Sequence, residues 1–403
     1  MPAHKWQFAP RFRRKAFGWR SDTPIQRIRQ AVSEIKAIAK KEPVLAAEGV
    51  VIFLEKLSPA LEQVDSSSGA IGSAVNSAID TLVPFVTRAD VDQKTRQRWL
   101  ERLWKAVEDD GMSYIEGLGE YWGQLCSDPA LASHWAEKFL PKVEKVWSPS
   151  APGHGYSKGI PSCLASLLAA GRNEELLALL EQARSKWWHY RQWGVKALVA
   201  MGKKTEAVQY ADESRGLNNP GWQIAETCEA ILLSSGLLDA AYERYAVEAN
   251  QGSTHLATFR AIAKKYPHKT AAHILHDLVA STSGEDGKWF AAAKNAGLFD
   301  QAIALVSHSP ADPRTLTRAA KDFADKQPAF ALASGLAALR WIARGHGYDI
   351  TGSEVLEAYA AALFAGRRAG VDVLQVNTQV RELLAGDDPS SRFAWSVIGP
   401  MAQ

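Results

Sequence analysis

Cysteine is scarce. The 403-residue chain has three, Cys126, Cys163 and Cys228. They are odd in number and widely spaced, and no Cys-x2-Cys pair occurs, so nothing supports a disulfide framework or a zinc ribbon. A reducing cytoplasm is the expected setting. Long hydrophobic runs are also missing. The longest apolar stretches, 44–54 and 330–343, fall short of the roughly 18–20 residues that span a bilayer, so no membrane partner is expected. No apolar h-region follows the basic N-terminus, which argues against secretion, and that segment lacks the serines of a mitochondrial presequence. Alternating β-branched runs bounded by turns are absent, so no sheet is expected. Neither a Gly-x-Ser-x-Gly elbow nor a P-loop nor a dinucleotide fingerprint is present. No cofactor and no metal are therefore expected.

What is present is ordinary in bulk and uneven in distribution. A hydrophobic fraction of 46% and a charged fraction of 23% describe a soluble globular protein rather than a disordered one. The 14 tryptophans suit helix–helix contacts. The net charge of +3 conceals a basic head. Residues 1–41 hold eleven Lys or Arg against two acids, Asp22 and Glu34, whereas the other 362 residues hold 36 basic and 42 acidic groups. Such a head attracts a polyanion or docks on the chain's own acidic surface. It opens with HKWQFAPRFRRKAFGWR (His4–Arg20), six Lys or Arg and five large aromatic rings without a carboxylate. Four rings in twelve residues are too apolar for a free tail. Phe12, Phe17 and Trp19 are expected to pin the segment onto the first helices, leaving Arg11, Arg13, Arg14, Lys15 and Arg20 as a surface patch.

Helical periodicity runs through nearly the whole chain. In TPIQRIRQAVSEIKAIAKK, Thr23 is placed as N-cap and Pro24 at the first helical position, with Ile25, Ile28, Val32, Ile35 and Ala39 on one face. Arg29, Lys36 and Lys40 share another face and extend the basic character of the opening. Further helices are expected at about 43–57, 69–87, 92–108, 113–125 and 129–146, with Pro43 and Pro129 in first turns. The segment 147–161, with three prolines and three glycines, is the expected domain boundary. It divides an N-terminal helical domain (1–146) from helical repeats (162–310) and a C-terminal helical cap (311–403).

Four segments after that boundary share one plan. In 167–183, 197–214, 230–246 and 291–307 a helix ends in small residues, turns at Gly171, Gly202, Gly236 or Gly297, and places an apolar residue five positions later. The glycine spacings are 31, 34 and 61, the last close to two units. A helical hairpin of this kind cannot bury its apolar face alone, so copies must stack. With GKKTEAVQYA and NAGLFDQAIALV as second-helix starts, the region 165–310 resembles the tetratricopeptide and related α-solenoid repeats, without their Trp-x2-Leu-Gly-x2-Tyr signature. The resemblance implies a curved stack of helix pairs with a concave face for partners, and it carries no shared catalytic residues.

Several clusters hold chemical groups. In WWHYRQWGVK, Trp187, Trp188, His189, Tyr190, Arg191 and Trp193 offer either a stacking platform for a partner's ring or base or core filling between hairpins. His273 and His276, with His268 and Asp277 nearby, have one-turn spacing but an incomplete ligand set. Glu116 and Glu120 form an i, i+4 carboxylate pair, the minimum for divided acid and base roles. The Gly-rich turn 65–74 reads as capping and packing, since its spacing matches no phosphate loop.

The expected fold is all-α, a TPR-like α-solenoid preceded by an N-terminal helical domain. The expected function is a non-enzymatic, cytoplasmic scaffold binding a macromolecular partner, with protein as the first expectation. One alternative is nucleic-acid binding through Arg11, Arg13, Arg14, Lys15, Arg20, Arg29, Lys36 and Lys40. A second is an enzyme acting on nucleic acid, which requires Glu116, Glu120 or another acid buried beside a basic groove.

Overall fold

Helix starts fall where prolines and capping aspartates put them. The computed structural model describes residues 4–150, 155–216 and 218–402, and among these the chain is 72% helix without a strand. Contacts divide it into two units, Met1–Pro220 and Gly221–Gln403. The Pro/Gly segment 147–161 falls inside the first unit, and its residues 151–154 lie outside the described ones.

The first unit runs α1 (Asp22–Ala39), α2 (Pro43–Leu61), α3 (Ala70–Thr87), α4 (Gln93–Asp109), α5 (Trp122–Cys126), α6 (Pro129–Trp147), α7 (Gly159–Ala169), α8 (Asn173–Glu181), α9 (Trp188–Ala200) and α10 (Lys204–Asp212). Pro43 and Pro129 open α2 and α6, and the Asp128 carboxylate accepts from the Ala130 N–H. α1 begins earlier than expected, with Ser21 rather than Thr23 at the cap. Pro24 still lies in the first turn, where its missing N–H costs no helical bond. The helix expected over 113–125 is a 3-10 turn (Glu116–Tyr121) followed by the short α5. α5 packs closely on α7, where a Cβ on Gly123 would stand 2.3 Å from the Ala165 carbonyl oxygen. The core is aromatic, with Trp104, Trp122, Trp135 and Phe139 in contact at ring separations of 4.7–5.9 Å.

The second unit runs α11 (Gly221–Ser234), α12 (Leu238–Ala249), α13 (His255–Lys265), α14 (Ala271–Ala280), α15 (Phe290–Asn295), α16 (Phe299–His308), α17 (Pro313–Phe323), α18 (Pro328–Ala343), α19 (Gly352–Arg368), α20 (Val373–Leu383) and α21 (Pro389–Ile398). Within each unit helices pack mainly on the next or next-but-one helix in the chain.

The four repeat glycines share one turn geometry. Gly171, Gly202, Gly236 and Gly297 have φ of 72°, 79°, 74° and 75°. In each turn the following N–H reaches back to a carbonyl five residues earlier, Arg172 to Leu167, Lys203 to Leu198, Leu237 to Leu232 and Leu298 to Ala293, at 2.9–3.0 Å. This is a Schellman closure, which satisfies the last carbonyls of the first helix. The second helix starts two residues after each glycine. The residue five positions on, Leu176, Ala207, Ala241 or Ala302, is fully buried. The pair α13–α14 occupies the interval between the third and fourth glycines, joined without a glycine. Gly345 and Gly370 close α18 and α19 by the same bond, His346 to Trp341 and Val371 to Gly366.

Candidate functional site

The opening segment is docked. Trp6, Phe8, Phe12 and Phe17 are buried, while Trp19 is 72% exposed and takes no part in the pinning expected of it. Phe8 and Phe12 meet Phe53 of α2 edge-on at 5.6 and 5.2 Å, and Phe12 meets Phe17 at 5.5 Å. Trp6 lies flat against Gly49, where a Cβ would come within 2.3 Å of the indole. The Gln7 and Phe8 N–H groups donate to the Glu34 carboxylate of α1 at 2.7 and 3.0 Å. Lys15 donates its N–H to Pro59, and Asp65 donates its own to Trp19.

With the rings inside, the cations face out. Arg11, Arg13, Arg14, Lys15, Arg20, Arg29, Lys36 and Lys40 are all exposed. Arg14 and Lys15 share Glu62 at 3.0 and 3.9 Å, Arg11 reaches the Gln30 side chain, and Arg13 reaches the Pro10 carbonyl. Among the described residues Arg20, Arg29, Lys36 and Lys40 have no carboxylate within ion-pair distance. Beside Arg29 a groove of about 490 Å³ runs between α1 and α3, walled by Ile25, Ile28, Val32, Ala70, Ser73, Ala74, Ser77 and Thr81. The small residues of the 65–74 turn and its helix thus border open space. The turn carries its own anion, since Asp65 accepts from the Ser67 N–H and hydroxyl at 3.0 Å each.

The aromatic cluster of α9 divides. Trp188, Tyr190, Arg191 and Trp193 are buried, so they pack between helices and offer no stacking surface. The Arg191 guanidinium lies 3.6 Å from the Tyr210 ring centre and donates to Ser214 at 2.7 Å. Trp187 and His189 are presented to solvent. Two clusters flagged separately in the sequence come together here, because His189 Nδ1 stands 3.6 Å from Glu120 Oε1. Glu116 accepts from the Tyr156 hydroxyl, and Tyr121 donates to Asp80 at 2.6 Å, which pushes the phenol up to about 12. Partial desolvation lowers Lys196, whose ammonium lies 4.2 Å from the Trp193 ring, and Glu120 opposes that shift. Glu116 is half-buried and Glu120 exposed.

In the second unit, α14 starts at a Thr270 cap, after the turn that holds Pro267. Asp277 holds His273 and His276, both at 3.3 Å, and accepts from the Tyr242 hydroxyl at 2.8 Å, while His268 faces Asp239 at 3.5 Å. Among the described residues no group of three His, Cys, Asp or Glu side chains is placed to hold a metal. Glu229, which sequence reasoning missed, is buried and held by the Tyr266 hydroxyl at 2.6 Å, the Asn250 amide at 2.7 Å and the Lys265 ammonium at 2.7 Å. Its phase among Ile224, Ala225, Cys228 and Leu232 on α11 was the available signal.

No protein-family model matches the chain, and no curated protein matches it.

Proposed function

We propose that this chain is a non-enzymatic helical-repeat protein of the TPR-like α-solenoid type, working in the cytoplasm by binding a macromolecular partner. The observation that carries the reading is the recurrence of one Schellman-closed hairpin turn at Gly171, Gly202, Gly236 and Gly297. Repeated hairpins expose a long surface relative to their core, and such surfaces serve binding. Cross-linking of the full-length chain in its native lysate, followed by mass spectrometry, tests it. A protein cross-linked reproducibly to outward helix positions supports the reading. Turnover of a small molecule without any macromolecular partner overturns it.

A second reading, nucleic-acid binding, is favoured by the eight outward cations of the head. If six or more met phosphates, affinity would fall roughly 10³-fold or more between 50 and 200 mM salt. The test is a salt-titrated gel shift with Arg20, Arg29, Lys36 and Lys40 replaced by alanine. Deleting the segment instead would remove four core rings and confound the result.

A further inference from the structure

α3 is unusual for a helix with a solvent side. Of the described helices it alone is long and apolar enough to cross a membrane by length and composition, with a mean hydropathy of 1.2, yet only 39% of it is buried. Ile71, Val75, Ile79, Leu82, Val83 and Val86 face the core. Its single charge, Asp80, is bonded to Tyr121. The flank turned toward α1 is therefore uncharged, with Ala70, Ser73, Ala74, Ser77 and Thr81 at the i, i+3, i+4, i+7, i+11 spacing of one helix stripe. A surface helix ordinarily fills such positions with charged residues, and an uncharged exposed stripe marks an interaction face.

Building on the interaction reading above, we infer that the α1/α3 groove receives an acidic amphipathic helix of a protein partner. The groove is long enough, since residues 70–81 cover about 16 Å, or three helical turns. Its floor is shallow in side chains, because alanine and serine let a partner's backbone approach within the usual 8–10 Å between helix axes. Its opposite wall is aliphatic, through Ile25, Ile28 and Val32, and accepts the partner's apolar stripe. Arg29 lines the groove, and Lys36 and Lys40 continue its face of α1 beyond Val32, about 10 and 16 Å further along the axis. All three lack a carboxylate partner among the described residues. Carboxylates along one flank of the docked helix complete them. Phosphodiesters fit less well, because the aliphatic wall offers no donors. A bilayer also fits less well, because the surface is recessed rather than projecting.

The probe is a fluorescein-labelled peptide of about four turns, with an apolar stripe and glutamates on one flank, titrated into the full-length chain by anisotropy. Duplex RNA and anionic phosphatidylserine vesicles are run beside it. The acidic peptide is expected to bind, and its lysine-for-glutamate counterpart is not. Ser77→Trp fills the groove from an exposed position and is expected to abolish binding with an unchanged circular dichroism melt. Joint replacement of Arg29, Lys36 and Lys40 by alanine is expected to weaken binding about tenfold, the scale of rim charges. Absence of peptide binding, binding indifferent to Ser77→Trp, or RNA or vesicle binding blocked by Ser77→Trp would each overturn the inference. The broader interaction reading fails on a different result, a cross-linking experiment that finds no partner at any helix.

Discussion

Replacing Phe12 by alanine measures how firmly the basic head is held. Phe12 is 1% exposed and touches both Phe17 and Phe53. With Trp6, Phe8 and Phe17 it forms a set of four buried rings. Each large ring removes about 200 Å² from water, so docking gains roughly 20 kcal/mol at about 25 cal/mol/Å². The conformational entropy of ordering residues 4–20 opposes this gross gain, and the backbone bonds to Glu34, to Pro59 and from Asp65 add to the docked side. Truncating a buried phenylalanine costs about 3 kcal/mol, which raises the released population by up to about a hundredfold at about 1.4 kcal/mol per tenfold. Release frees the backbone at the already exposed Arg11, Arg13, Arg14, Lys15 and Arg20 to enter trypsin's site, and cleavage follows the open population when opening is fast. Mass spectrometry of the cleaved N-terminal fragments gives the rate. Trp19→Ala, at an exposed ring, serves as the control and should leave the rate unchanged. A Phe12→Ala rate within about twofold of the parent, or an equal effect from Trp19→Ala, would refute ring-driven docking.

Other expectations follow from individual sites. Alanine at Gly171, Gly202, Gly236 or Gly297 meets nothing within 4 Å, so the left-handed backbone alone sets the penalty, about 1–2 kcal/mol each; unequal urea midpoints among the four variants would show that the turns differ in ways their geometry does not reveal. The Arg314 guanidinium and the Thr351 N–H hold the Glu354 carboxyl at about 2, below its ordinary 4.5. A depressed carboxylate contributes stability that is complete above the ordinary value and is lost as pH falls through about 2, so Arg314→Ala should flatten the acid limb of the urea-midpoint curve below about pH 5. Burial raises the Cys126 and Cys163 thiols to about 12; Ellman's reagent at about pH 8 should leave both unmodified until the chain unfolds, and rapid labelling of the native protein would contradict this.

The features legible in the sequence are local ones. Pro43 and Pro129 announce helices because a proline's fixed φ and missing N–H act on its own turn. The four repeat glycines are legible because a Schellman closure needs a left-handed residue followed by a new helix within a few positions. Gly345 makes the same bond, but the next helix starts only at Gly352, so the local pattern is broken there. Contacts between distant segments were not legible. Nothing in residues 4–20 distinguishes Trp6, which docks, from Trp19, which does not. The distinction lies on α2, where Gly49 leaves room for an indole. Trp187 and Trp188 are neighbours with opposite fates because α9 starts between them. His189 meets Glu120 only through the fold. The division at Pro220–Gly221 has its own turn residues, Asn218-Asn219-Pro220-Gly221.

Docking also decides whether the acidic body masks the basic head. Glu34, one of the two acids within the first 41 residues, is taken by backbone N–H groups rather than by a cation. Glu62 takes Arg14 and Lys15 together, and exposed pairs of this kind neutralise little, at about 0–1 kcal/mol. Among the described residues of the first unit, Glu62 is the carboxylate that pairs with cations of the opening segment. Along α1, Arg29, Lys36 and Lys40 stand roughly 6–10 Å apart, close to the Debye length of about 8 Å at physiological ionic strength. At that separation neighbouring charges still act on one another and on an approaching anion together. An isolated surface lysine is a solvated charge, but three in register beside an uncharged groove present one extended field. That coupling makes the α1 flank, more than the arginine-rich opening segment, the place where the head's positive charge is free to act.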